Sequence, residues 1–214
     1  MRTLIACMCV ALGVSAANAG VTGVSVDSFP QTLGTGAIVV NDIKATFDGQ
    51  LGGQQLYILL DNGTIYNTAG FGGNVAPNAA FVGLVPDLAF DSFLTMGGPT
   101  FESSQGVLVV GGAVNIMGAP SGLNVGTPNT ALVSAAFAPA AGLVITDQAD
   151  FLLARISISS DADGIAFFFG STTDNAPVFE IAGTVTDGVL TFIPEPTSAV
   201  LAALAMVGGF IRRR

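Results

Sequence analysis

The stretch SDADG, residues 160–164, places Asp161 and Asp163 on alternate positions before Gly164. Alternating aspartates ahead of a glycine resemble the opening of a calcium loop, because a hard cation gathers several carboxylate and carbonyl oxygens. The third acid and the closing bidentate glutamate of such a loop are missing here. Asp161 and Asp163 therefore stand as calcium candidates beside a simpler reading, a polar turn; Asp147 and Asp150 form a second short pair of the same kind. Paired carboxylates could also hydrolyse glycosides. Glu102 and Glu180 are the only glutamates ahead of the C-terminal tail, and Glu180 falls on the polar face of an alternating run. Histidine, the usual general base, is absent from the sequence, and Lys44 is its only lysine. With no tryptophan and only Tyr57 and Tyr66 as tyrosines, few side chains can stack on a sugar. These residue types predict no enzyme, no catalytic residue and no cofactor beyond a calcium ion.

The elements that would position these residues read as β-strands. In IKATFD, Ile43, Ala45 and Phe47 alternate with Lys44, Thr46 and Asp48. LLARISIS (152–159) and VFEIAGTV (178–185) alternate in the same way, the pattern of a strand with one buried face. QLYILL (55–60), GVLVVGGAVNI (106–116) and GIAFFFG (164–170) are apolar on both faces, which predicts central strands. Gly111-Gly112 suggests a bulge within the second of these. Further strands are expected near 22–28, 131–138 and 188–193. Asp187-Gly188 is the strongest hairpin signal, and Asp161 to Gly164 should turn the chain between two more strands. PNAAFVGLV (77–85) is the one helical candidate, a turn or two before Pro86. GAPSGLNVGTPNT (118–130) reads as a long loop. Many short strands with frequent turns predict an all-β fold, an antiparallel β-sandwich over residues 20–193.

The two ends differ from this body. Arg2, the apolar core Leu4–Val14 and Ala17-Asn18-Ala19 have the form of a cleavable secretory signal over residues 1–19, cut after Ala19. Cleavage there removes Cys7 and Cys9 and leaves the mature chain without a thiol. Composition changes again at Pro194. Pro194-Glu195-Pro196 precedes an apolar run, Ala199 to Ile211, of 13 residues, and Arg212, Arg213 and Arg214 close the chain. Counted from Ile193 the run is 19 residues, a marginal length for a membrane span, which needs about 20. Terminal arginines resist translocation, so this segment reads as a stop-transfer anchor with the body outside. Between residues 20 and 193 lie 14 of the 15 acidic residues and two of the six basic ones, Lys44 and Arg155, a net charge of 2 − 14 = −12. Such a body repels phosphate backbones and excludes nucleic acid as a partner.

The motif, the short apolar helix, the arginine cluster and the signal at the other end together resemble the PEP-CTERM sorting signal of exported bacterial proteins. The resemblance covers the 194–214 tail and implies routing. The tail would hold the protein briefly in the inner membrane of a Gram-negative-type bacterium. Exosortase, a membrane-embedded transpeptidase, would then recognise and cut it and release the body to the cell surface or extracellular matrix. Proteins of this family are associated with exopolysaccharide, biofilm and floc. PNAAFVGLVPDLAFDSFLTMGG and ADFLLARISISSDADG look similar to stretches in PEP-CTERM proteins of planctomycete-like bacteria, which implies a body resembling cohesin-type or jelly-roll sandwiches. The expectation from the whole sequence is a non-catalytic structural or adhesive protein of an exopolysaccharide matrix. The alternative is a carbohydrate-binding module at the same location.

Overall fold

The computed structural model describes residues 20–114, 131–174 and 177–193. The signal at 1–19, the loop at 118–130 and the tail at 194–214 lie outside the described residues. Nine strands form one curled antiparallel sheet: β1 (Val21–Leu33), β2 (Gly36–Leu60), β3 (Phe93–Leu94), β4 (Val107–Ala113), β5 (Leu132–Pro139), β6 (Thr146–Ser159), β7 (Gly164–Thr172), β8 (Phe179–Thr186) and β9 (Val189–Ile193). Among the described residues helix is confined to α1 (Ala79–Leu84) and a 3-10 turn at Pro86–Phe90. Among the described residues no helix is long and apolar enough to cross a membrane.

β2 organises the sheet. Its first half pairs with β1 and β6, and its second half with β5 and β7. The sequence predicts two strands here, at IKATFD and QLYILL. The structure joins them into one strand of 25 residues. Gly49, Gly52 and Gly53 bend it without ending it. Gly49 has φ 80°, a conformation costly for other residues, and a Cβ at Gly52 would come within 3.0 Å of the Ser171 carbonyl oxygen. Straight, 25 residues would reach about 80 Å. Instead both ends of β2 meet one turn: Ser160 N–H donates to Ala37 O (3.1 Å) and Asp61 N–H to Asp163 O (2.8 Å). The strand therefore doubles back, and the sheet curls with it.

The curl encloses a single large core. Ile43, Ala45 and Phe47 from the first half of β2 cluster with Leu56 and Ile58 from the second, with Phe137 of β5, Leu153 and Ile156 of β6 and Phe168 of β7. Alternation therefore assigned the buried face correctly in the IKATFD half of β2 and in β8. β4 departs from expectation. Apolar on both faces, it reads as a central strand, yet among the described residues it pairs only with β5, and Leu108 and Val110 are exposed. Its register shifts between Val109 and Gly111, the bulge expected from the glycine pair. β6 also departs, since Phe151 to Ala154 are all buried rather than alternating.

The hairpins follow their turn chemistry. Asp187 (φ 50°) and Gly188 (φ 75°) both take the left-handed conformation that a two-residue hairpin turn requires, and Thr186 pairs with Val189. α1 begins where expected, with Asn78 Oδ1 accepting the Ala80 N–H (2.9 Å), and stops before Pro86.

Candidate functional site

One end of the curled sheet carries an open groove of about 460 Å³. The β1–β2 turn supplies Thr35, the segment after β2 supplies Thr64 and Tyr66, and the β6–β7 turn supplies Ser160 and Asp161. Backbone pairing fixes these segments against one another. Thr64 O accepts the Ser159 N–H (2.9 Å), Tyr66 N–H donates to Ser157 O (2.7 Å), and the Ser159 hydroxyl accepts the Thr64 N–H (2.9 Å). Tyr66 packs its half-buried ring against the small apolar cluster of Leu33, Ile38 and Val40. Burial raises its phenol pKa above the usual value.

The two calcium candidates part ways. Asp161 lines the groove, and its carboxylate makes no hydrogen bond among the described residues. Asp163 is held inside the turn: its N–H donates to Asn62 Oδ1 (2.6 Å) and its carboxylate accepts the Asp187 N–H (3.3 Å). Asn62 Nδ2 in turn donates to Asp161 O (2.7 Å), so Asn62 braces the turn from both sides. Among the described residues no group of three potential metal-ligating side chains converges. Asp147 (φ 51°) and Asp150 (φ 51°) lie instead beside the bend of β2, where the Asp147 carboxylate accepts the Gly49 N–H (2.7 Å).

The remaining sequence candidates fall on separate elements. Glu102 caps α1 by accepting the Ala79 N–H (2.9 Å), and that bond holds its carboxyl below the usual range. Glu180 lies in β8 opposite Phe169 of β7. Lys44 pairs with Asp27 across the β1–β2 ladder, and this hydrogen bond raises its pKa.

Two buried polar centres carried no sequence signal. Asn41 follows the apolar run AIVV and reads as punctuation, yet it is fully buried. Its amide lies within hydrogen-bond reach of Val39 O, Ile156 O and Gly188 O, and its oxygen accepts the Ser28 hydroxyl and the Leu190 N–H. Asp91 is buried with one oxygen taking both the Thr68 N–H (2.7 Å) and the Thr68 hydroxyl (2.6 Å). Its other oxygen has no partner among the described residues, and burial pushes its carboxyl pKa up.

Between β2 and β4 runs an insertion, residues 61–106, that contains α1, the 3-10 turn and β3. Phe71, Phe81 and Phe101 are its exposed aromatics, at 59%, 55% and 63% exposure. Phe101 N–H donates to Pro77 O and Phe81 N–H to the adjacent Asn78 O, which brings the backbones bearing these two rings together. Phe101 also borders a cleft of about 300 Å³ with Val75, Gln105 and Val107. Comparison with protein-family models, curated proteins and solved structures finds no match for this chain.

Proposed function

We propose that this is an exported, non-catalytic protein of the cell surface or extracellular matrix, with an adhesive or structural role. Its routing rests on the ends of the sequence. The signal at 1–19, with Ala17 and Ala19 before the cut, opens export. Pro194-Glu195-Pro196 and Arg212 to Arg214 present the tail to an exosortase-type transpeptidase at the inner membrane. The curled sheet is best read as a two-layer sandwich: the layer β1-β2-β6-β3 faces the layer β4-β5-β2-β7-β8-β9, and the doubled-back β2 belongs to both.

The observation that carries the adhesive reading is the insertion. It offers Phe71, Phe81 and Phe101 to solvent while hydrogen bonds tie it to the sheet, through Ser92 and Tyr66 to Ser157 and through Ala89 to Arg155. Exposed, fixed aromatic rings are the side chains that grip sugars or neighbouring apolar surface. A second reading, a carbohydrate-binding module, is favoured by the hydroxyl-lined groove at Tyr66.

Two measurements test this function. Mass spectrometry of the protein recovered from its native surface should give a chain lacking residues 1–19 and ending near Pro194. An intact Arg212–Arg214 end sinks the sorting hypothesis. The recovered protein should also be retained on isolated exopolysaccharide, with retention falling in a Phe81→Ala/Phe101→Ala variant. Equal retention of wild type and variant removes the role given to the insertion.

A further inference from the structure

The groove at the end of the sheet has a chemical character of its own. Thr35, Thr64 and Ser160 line it, are exposed, and carry neutral hydroxyls that make no hydrogen bond among the described residues. Asp161 adds one carboxylate to the lining, and the half-buried Tyr66 adds one aromatic residue. Among the described residues no basic side chain lines it. A volume of about 460 Å³ falls within the range of small-molecule sites, about 300–1,000 Å³. The walls are preformed, because hydrogen bonds of 2.7–3.1 Å join the three segments. Preformed walls lower the ordering cost of binding.

We propose that this groove binds a neutral sugar chain. Hydroxyl groups that can both donate and accept match the hydroxyls of a sugar. One carboxylate can accept from a vicinal hydroxyl pair, and the apolar face of a pyranose can lie on the Tyr66 ring. Charge sets the ligand class. A uronate or phosphorylated polymer would meet Asp161 and a body of net charge −12 with no cation in the groove to offset them. A neutral hexose polymer meets no such repulsion. The assignment rests on the carbohydrate-binding reading of the body and adds to it the site and the charge class of the ligand.

The test is an amide-shift titration of the ¹⁵N-labelled mature protein with cellohexaose, maltohexaose, a mannan hexasaccharide and a galacturonate hexasaccharide. At least one neutral sugar should give saturable shifts at Thr35, Thr64, Tyr66 and Ser160, and galacturonate none. Thr35→Val/Ser160→Ala removes two solvent-facing hydroxyls without touching an internal bond. It should weaken binding about tenfold, the effect of losing roughly 1.4 kcal/mol, with the thermal midpoint unchanged. Tyr66→Ala should abolish the shifts; because Tyr66 also packs on the small core, the double variant keeps the test independent of folding. Saturable shifts centred on Phe81 and Phe101 instead, or tighter binding of galacturonate, overturn the groove assignment. Retention on exopolysaccharide without groove shifts overturns it too, and leaves the adhesive function standing.

Discussion

Arg155 is one of only two cations between residues 20 and 193, and strand alternation places it on a wet face. In the structure its side chain is only 13% exposed. Nε and Nη2 grip both oxygens of Asp42 at 2.7 Å, Nη1 donates to Ala89 O at 2.7 Å, and the guanidinium lies over the rings of Phe29 and Phe93. The planar fork suits this bidentate pairing, which an ammonium cannot reproduce. Asp42 is equally enclosed, at 15% side-chain exposure. Arg155→Met therefore leaves a carboxylate in a site with little water, a change that costs about 3–5 kcal/mol. Asp42→Asn/Arg155→Met removes that stranded charge and should recover at least half of the loss. Urea denaturation of wild type, single and double variants measures both effects. Equal losses in the single and double variants would show that packing around the guanidinium, rather than the charge pair, sets the cost. Sequence reading could not find this pair, because Asp42 and Arg155 become neighbours only through the β2–β6 register.

The insertion between β2 and β4 is held by two carboxylates of opposite titration behaviour. Glu102 is exposed and accepts the Ala79 N–H at the start of α1, which lowers its folded pKa below 4.5. Its contribution is present above pH 4.5 and is lost as pH falls through the depressed folded value. Asp91 is buried beside Thr68, and desolvation raises its folded pKa above 3.8. The native state then holds a proton that the unfolded chain has released, so stability falls as pH rises from 3.8 through the raised value. Asp91→Asn should flatten the decline on the neutral side, and Glu102→Gln the decline on the acid side. Thermal midpoints from pH 3 to pH 8 separate the two; a curve unchanged by Asp91→Asn would refute the burial argument. At this scale much was legible. Alternation found the buried faces of the first half of β2 and of β8, Asp187-Gly188 gave its hairpin, and Asn78 to Pro86 framed the one α-helix among the described residues. The continuity of β2 was not legible, because Gly49, Gly52 and Gly53 look like breakers, and only the left-handed backbone at Gly49 and the approach of Ser171 to Gly52 explain why the bend uses glycine. The edge position of β4 was hidden for another reason, since its apolar residues carry no mark of which face or edge stays open.

Across the whole molecule, one buried uncharged residue helps close the curl while the charge of the body opposes compaction. Asn41 of β2 bonds to Gly188 and Leu190 at the β8–β9 turn, strands that the sheet path separates by β7. Asn41→Leu strands the Leu190 N–H and the Gly188 carbonyl, and at about 1–3 kcal/mol for each buried unpaired group the variant should lose several kcal/mol of stability. Fourteen acids against two bases, a net of −12, act on the body from the other direction. Like charges on a compact surface repel, and the repulsion relaxes when the chain expands. Added salt shortens its range from about 30 Å at 0.01 M to about 3 Å at 1 M. The thermal midpoint should therefore rise by several degrees between 0.01 M and 1 M NaCl. Salt also weakens the exposed Lys44–Asp27 pair, but one surface pair contributes less than about 1 kcal/mol, too little to offset a net of −12. The half-buried Arg155–Asp42 pair is shielded from the salt. Replacing part of the NaCl by CaCl₂ at equal ionic strength sharpens the measurement. With Asp163 held inside its turn and no third ligand beside Asp161 among the described residues, calcium should act only through its charge, in proportion to its contribution to screening. A midpoint that climbs at low calcium and saturates there would instead reveal a site that binds the folded state, by the mass-action dependence of stability on ligand.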